Sequence, residues 1–594
     1  MTGPSIIRAV LTVFSVFLSL GCGSVKYSSV ASGILNRTWT VDQASPDEKA
    51  YCADSIFHTP SHLISGQASF EYRPISVELG EEGLRDIAED TRPIRHAQYD
   101  VTDASGTILQ CGETDGDGNF SFSVPQNNRA LSINIYTRSN NSFNRASVFI
   151  APETNELHKI QYFFTANKSA SNIEIVAEGD GSLIGGAFNI LDQIHNSFDS
   201  LAVHTSPGEG INPLDIPKVD IYWEKGFNPG VYVDVNSGLS FFSKPQMKLF
   251  ILGGSNGDVD YADTDHFDNS IILHEYFHFL ESAISISHSP GGTHSGNELL
   301  DPRLAWSEGA AQFYQAFVTN TPTVLDTRGN TDGSTGFYLK LSVENETTDQ
   351  PIEEGEGEFR EFAVARLLWD IHDIEDAEEA PENFDNVNGF FSNFWRAFSG
   401  TSLTPSFNHD KAYFASSSLL LDAINQDSPI QGNADWNELL LHSFMTQPIH
   451  TPVNSFRAQY GQNIVPGTTA TFSFTGPFFL EDPYLPNNHP VASIDYYSLH
   501  VPSGVTQSIS VTSTTVDGTG GAVQLYVFDS NYTNLTEFIH GPLEEGVPVN
   551  LDGEPGTGTV YLIAVVVSDL PIKTVSSVEA TLNYSFPGYN IGGF

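Results

Sequence analysis

"IILHEYFHFLES", residues Ile271 to Ser282, places two histidines four positions apart with a glutamate directly after the first. A helix turns about 100° per residue, so positions four apart lie nearly above one another. His274 and His278 can therefore aim ring nitrogens at a single point. Glu275 falls on the adjacent flank, placed to act on whatever is held at that point rather than to hold it. Ile271, Ile272, Phe277 and Leu280 would seat the helix in a core, and Asp268, Asn269 and Ser270 offer N-caps just upstream. The chain has 18 histidines in 594 residues, so chance would supply this pattern about 0.03 times. The competing reading is a helix whose histidines merely face solvent or a polar pocket.

Two histidines do not make a catalytic zinc site, which keeps three protein ligands and one open position. The metzincin continuation fails, because Ile284 stands six past His278 and Glu281 stands in the place of its glycine. Downstream comes "DPRLAWSEGAAQFYQAFV", Asp301 to Val318. Asp301 and Pro302 read as N-cap and first helical position. Glu308 follows about two turns in, 30 positions beyond His278 (308 − 278). Gly309, Ala310 and Ala311 are small and would let this helix lie close to the histidine helix. Trp306, Ala310, Phe313 and Phe317 form an apolar face to bury.

A His-Glu-x-x-His helix followed by a glutamate on a second helix resembles the gluzincin metallopeptidases, the thermolysin-like class. The resemblance covers the middle of the chain. It implies Zn2+ held by His274, His278 and Glu308, and hydrolysis of peptide bonds through a metal-activated water with Glu275 as general base. Many gluzincins carry an aspartate four residues after the ligand glutamate, and here that position is Gln312. Gln312 could support a ligand histidine as a hydrogen-bond partner without supplying charge.

Between the two helices lies "SISHSPGGTHSGNELL", with His288 and His294 as candidate oxyanion donors or surface residues. Upstream, "GDVDYADTDHFD" supplies Asp258, Asp260, Asp263, Asp265 and Asp268. Oxygen-rich loops suit Ca2+, though capping and solvation serve the same residues. A second acidic stretch, "TDGDGNFSFSVP" from Thr114, lacks the glycine and glutamate of an EF-hand and reads as a turn into a strand.

The flanking patterns give a multidomain fold class. Residues 23–67 read as a tether with a partly ordered segment. Residues 68–165 are β-patterned and resemble the prealbumin-like β-sandwich of carboxypeptidase-regulatory-like modules. Residues 185–447 mix short strands ("KVDIYW", "GVYVDV", "MKLFILGG") with helices ("AFNILDQIHNSF", "FREFAVARLLWDIHDI", "KAYFASSSLLLDAI", "WNELLLHSFM"), an α+β, mostly helical gluzincin-like metallopeptidase domain. Residues 461–594 return to β and resemble the pre-peptidase C-terminal type of β-sandwich, a jelly-roll.

The N-terminus suggests where such a protein works. Arg8 precedes an apolar run from Ala9 to Leu20, too short to span a bilayer and suited to a signal-peptide core. The run ends in "SLGC", which resembles a bacterial lipoprotein signal over residues 1–22, with Cys22 acylated. That implies an exported protein of the cell envelope, anchored to a membrane through lipid and sited on the outer membrane or cell surface. Of the 3 cysteines, Cys52 and Cys111 are then left as a candidate disulfide. The formal net charge of −47, from 73 acidic against 26 basic residues, argues against a nucleic-acid partner. The partner implied is a protein or peptide substrate. Two alternatives stand beside this reading: a non-catalytic surface lipoprotein that binds or adheres, and a zinc hydrolase of a non-peptide substrate.

Overall fold

A computed structural model describes residues 61–76, 83–84, 91–126, 128–205, 215–232, 238–254, 262–285, 302–329, 337–344, 360–372 and 391–399, a few single positions between 287 and 420, and the C-terminal strands between 462 and 585. The signal-like segment, Cys22, Cys52, His288, His294, Asp301 and the predicted helices across 411–446 lie outside the described residues, apart from two isolated positions in the last of these.

The first described elements are β-strands because their apolar residues alternate. In the strand Asn119–Pro125, Phe120, Phe122 and Val124 are buried while their neighbours face outward, the period of a half-buried strand. The acidic turn before it is closed locally. The Asp115 carboxylate accepts from the amides of Asp117 (2.9 Å) and Asn119 (2.8 Å), an Asx-turn that needs no ion. This strand pairs antiparallel with Ser61–Glu71, which also pairs parallel with Ala170–Ala177. A second sheet runs Lys159–Thr165, Ala130–Tyr136, Gln98–Asp103, Ile108–Glu113, all antiparallel.

The sheet that positions the site is mixed. Its order is Phe241–Ser243, Lys248–Phe250, Val219–Tyr222, Arg145–Phe149, Arg138–Asn140. The central three strands are parallel and both edges antiparallel. Two of its strands come from within 68–165 and three from within 185–447, so hydrogen bonds cross the boundary drawn from sequence composition. Parallel neighbours need a long crossover. Helix α1, Ile184–His204, lies in that connection and packs on the sheet. Arg95 fixes α1 to the N-terminal strands, with Nε on Asp192 Oδ1 (2.7 Å), Nη2 on Asn196 Oδ1 (2.6 Å) and Nη1 on Asp199 (3.3 Å).

Among the described residues four more helices follow: α2, Asn269–Ile284; α3, Pro302–Thr319; α4, Glu361–Asp370; and α5, Phe391–Phe398. Nearly every residue of α2 is buried, which marks it as the central helix of the lobe rather than a surface one. Trp306, Ala310, Phe313 and Phe317 of α3 are buried as their spacing predicts. One apolar cluster runs from Ile64 through these helices to Leu420.

Three local expectations change. "GVYVDV" reads as a strand, but Pro229–Tyr232 forms a 3-10 turn. Asn228 Oδ1 accepts from the Gly230 amide at 2.9 Å, and that local bond competes with strand pairing. Asp268 sits at the N-cap of α2 but makes no side-chain cap. Its carboxylate accepts instead from the amide and hydroxyl of Thr327. Gly309 lets α3 approach α4 rather than α2, since a Cβ there would lie 2.4 Å from the Glu361 carbonyl oxygen and 2.7 Å from Val364 Cβ.

The C-terminal part holds two sheets. One runs Gln462–Asn463, Ser493–Val501, Thr559–Val567, Val523–Asp529, His540–Leu543, and the other Ala470–Thr475, Ser577–Ser585, Thr506–Thr515, Val549–Asp552. Among the described residues no helix is long and apolar enough to cross a membrane.

Candidate metal centre

Helix α2 presents His274 and His278 from one face, as four-residue spacing requires. Helix α3 lies alongside and brings Glu308 to the same point. His274 Nε2 and His278 Nε2 are 3.1 Å apart, and Glu308 Oε2 lies 3.1 Å from the first and 3.3 Å from the second. All three residues are buried. A tetrahedral ion with ligand bonds of about 2.0–2.1 Å separates its ligand atoms by about 3.3–3.4 Å. The triangle therefore fits a small tetrahedral cation that sits above its plane and keeps one position open. Two imidazole nitrogens and one carboxylate oxygen form the donor set of a catalytic zinc site, whereas Ca2+ takes six to eight oxygens. The cluster can hold a metal ion, and with Glu275 beside it the arrangement is consistent with metal-dependent hydrolysis.

Glu275 does not join the triangle. Its Oε2 accepts from the backbone amide of Phe242 at 2.7 Å, on the edge strand Phe241–Ser243. That amide fixes the carboxylate and supports its charged form. Sequence gave no hint of this bond, because a backbone donor has no residue type.

Two further residues, Ser307 and Glu281, join the site. Ser307 Oγ lies 3.2 Å from His278 Nδ1 and donates to Glu281 Oε2 at 2.8 Å. Gln312, expected from the gluzincin resemblance as a histidine support, is buried, and its Oε1 finds no hydrogen-bond partner among the described residues. The side chain that reaches His278 Nδ1 is that of Ser307, the residue just before Glu308. The visible signal was an acid at the third position after the second histidine.

The centre is electrostatically loaded. Burial opposes a charge on His278, but the Glu308 carboxylate outweighs it, with Glu275 and Glu281 adding, and the imidazole is raised to about 9. Burial pushes Glu281 up, against the pull of His278, Ser307 and Lys244. Burial pulls Lys244 down to about 8, against Glu281. Lys244 Nζ donates to the Ser287 carbonyl at 2.5 Å.

A second acidic group forms from Asp263, Asp265 and Asp326, whose carboxylate oxygens approach within 4.8 Å of one another. Neighbouring Asp268 is raised well above the usual carboxylate range by burial and by Asp326. The oxygen-rich loop thus contributes two of its aspartates to one place, but nothing there identifies Ca2+. Cys111 is half-buried on the strand Ile108–Glu113 and is disulfide-bonded. Its partner lies outside the described residues.

No protein-family model matches the chain, and no curated protein does. Among solved structures, the pre-peptidase C-terminal domain of a collagenase from Bacillus anthracis is similar at 17% identity, with 21% of this chain and 93% of that domain covered and a TM-score of 0.14. A cycloisomaltooligosaccharide glucanotransferase from a Paenibacillus species, complexed with cycloisomaltoheptaose, is similar at 9% identity over 83% of this chain and 68% of that one, with a TM-score of 0.11. TM-scores this low carry no argument about fold or function.

Proposed function

We propose that this chain is an exported zinc metallopeptidase of gluzincin type. The observation that carries the reading is the triangle of His274 Nε2, His278 Nε2 and Glu308 Oε2, with edges of 3.1–3.3 Å, and a Glu275 carboxylate close enough to act on the charge of His278. His274, His278 and Glu308 would hold the ion. When bound, Zn2+ supplies Lewis acidity, polarising a carbonyl and making water acidic near neutral pH.

The chain's own residues do the rest. Glu275, oriented by the Phe242 amide, takes a proton from the attacking water and passes it to the leaving amine. Glu308 contributes the negative charge that a neutral amide could not replace as a ligand. Burial of all three ligands keeps water from competing for their donor atoms. On the same reading, residues 1–22 are a lipoprotein signal, Cys22 carries the membrane anchor, and Cys52 pairs with Cys111. The sheets before and after the catalytic lobe are β-sandwiches that accompany it on the cell envelope.

Two substitutions test the reading. Glu275→Gln keeps zinc and the fold while casein cleavage falls about 10²–10⁴-fold. Glu308→Gln lowers zinc per chain, measured by elemental analysis, and excess zinc restores part of the turnover. Full zinc and wild-type turnover in Glu308→Gln would refute the ligand set. Stoichiometric zinc without cleavage of any protein or peptide would refute the peptidase assignment and leave a hydrolase of another substrate.

A further inference from the structure

We infer that Ser307 and Glu281 are positioning residues for His278, forming a hydrogen-bonded chain that holds a hydrogen on Nδ1, so that Nε2 is the nitrogen that gives up its proton and turns its lone pair toward the metal position. The inference rests on the metal-centre reading above and extends it to residues outside the His-Glu-x-x-His motif.

The chain has a direction. An ionised carboxylate only accepts hydrogen bonds. The Ser307 hydroxyl donates its hydrogen bond to Glu281 Oε2, at 2.8 Å. Ser307 Oγ then has only lone pairs to offer His278 Nδ1, 3.2 Å away. Nδ1 must carry the hydrogen, and a neutral ring with hydrogen on Nδ1 has its free lone pair on Nε2. Nε2 is the atom that faces Glu308 and His274. Ser307, Glu281 and His278 are buried, at 1%, 0% and 3% exposure, so water does not compete for these bonds.

The placement follows from the two helices. Glu281 lies three residues after His278, on the same face of α2. Ser307 directly precedes Glu308 on α3. Each helix therefore supplies ligand chemistry and one member of the supporting pair, and the pair ties the helices together at the depth of the ligands. Lys244, from beyond the edge strand, sits near enough to Glu281 to stabilise its charge.

Partners of this kind are worth about 10–100-fold in metal affinity. The test is zinc affinity by chelator competition for the full chain, Ser307→Ala, Glu281→Gln and the double variant, with near-ultraviolet circular dichroism as the fold control. The visible absorption spectrum of each Co2+-substituted protein reports ligand geometry. Both single variants are expected to bind zinc about 10–100-fold more weakly and to shift the Co2+ bands. Because the two residues act in series, the double variant loses no more than Ser307→Ala alone. Ser307→Ala removes one oxygen, so it decides the matter should Glu281→Gln fail to fold. Wild-type affinity and Co2+ spectra in Ser307→Ala, with stoichiometric zinc in the parent, overturn the positioning chain and leave the metal centre standing. A parent that binds no zinc overturns the metal centre itself.

Discussion

Metal binding at this centre must displace a proton, and the structure sets how strongly. In the metal-free protein the His278 imidazole is raised to about 9, chiefly by Glu308. At pH 7 it is therefore charged, two units below that value, and a ligand nitrogen has to lose its hydrogen first. Each unit corresponds to a tenfold change, about 1.4 kcal/mol. Apparent zinc affinity is thus expected to rise about tenfold per unit between about pH 6.5 and 8.5, and at pH 7 to lie about 100-fold below its high-pH limit. Chelator competition across that range gives the slope. Calorimetric titrations in buffers of different ionisation enthalpy give the proton count, expected to be about one per zinc at pH 7. A flat affinity over the range, or no proton release, would show that His278 is already neutral and that the Glu308 pairing does not govern it.

The same shift has a consequence for stability, with a definite sign. The folded value lies above the unfolded one of about 6.5. The His278–Glu308 pair therefore stabilises the metal-free protein fully below about pH 6.5, and the contribution is lost as pH rises through about 9. Chemical denaturation of metal-free protein at both ends of that window should show the decline, and zinc-loaded protein should lack it.

Gly309→Ala adds a methyl 2.4 Å from the Glu361 carbonyl oxygen and 2.7 Å from Val364 Cβ. The overpacking, typically about 1–3 kcal/mol, exceeds the gain of about 1 kcal/mol in helix propensity, because the neighbour is backbone and cannot swing aside. The variant should unfold at lower denaturant and, with Glu308 adjacent, bind zinc more weakly; greater stability with unchanged zinc affinity would contradict the packing argument. Arg95→Ala strands the Asp192 carboxylate, 8% exposed, and should cost toward the lower end of about 3–5 kcal/mol, because burial already raises Asp192 and lets it take a proton; a loss under about 1 kcal/mol in denaturation would show that α1 does not depend on the fork. Cys111 should resist alkylation without reductant in the native protein, and Cys52→Ser should expose it. Continued protection in Cys52→Ser would assign the partner to Cys22.

What was legible in the sequence followed from local periodicity. The geometry of His274, Glu275 and His278 is built into one helix, so their spacing alone places them. The burial of Phe120, Phe122 and Val124, and of Trp306, Phe313 and Phe317, follows from periods of two and of three to four. Glu308 was reachable because a short buried acid beside small residues has few other uses. What was not legible depends on partners distant in sequence. Asp268 reads as a helix cap, and the strand Thr323–Gly329 takes its carboxylate instead. Gly309 reads as clearance for α2, yet α4 occupies the space. Gln312 stands where the resemblance to gluzincins puts a histidine support, but Ser307 lies against His278 Nδ1. The mixed sheet unites strands from both sides of a composition boundary, because parallel pairing joins segments that share no local pattern.

These non-local bonds also explain why the centre can exist inside a core. Helix α2 buries two histidines and two glutamates among apolar side chains, and buried polar groups are costly unless each finds a partner. The partners come from separate elements. The edge strand gives the Phe242 amide to Glu275, α3 gives Glu308 to both histidines and Ser307 to Glu281, and the strand Thr323–Gly329 takes Asp268 and Ser270. The bonds that orient the reactive groups are therefore the bonds that hold the sheet, α3 and that strand against α2. A substitution that frees one of these groups leaves a buried carboxylate or imidazole to be compensated, so loss of ligand geometry and loss of stability arise from the same missing bond.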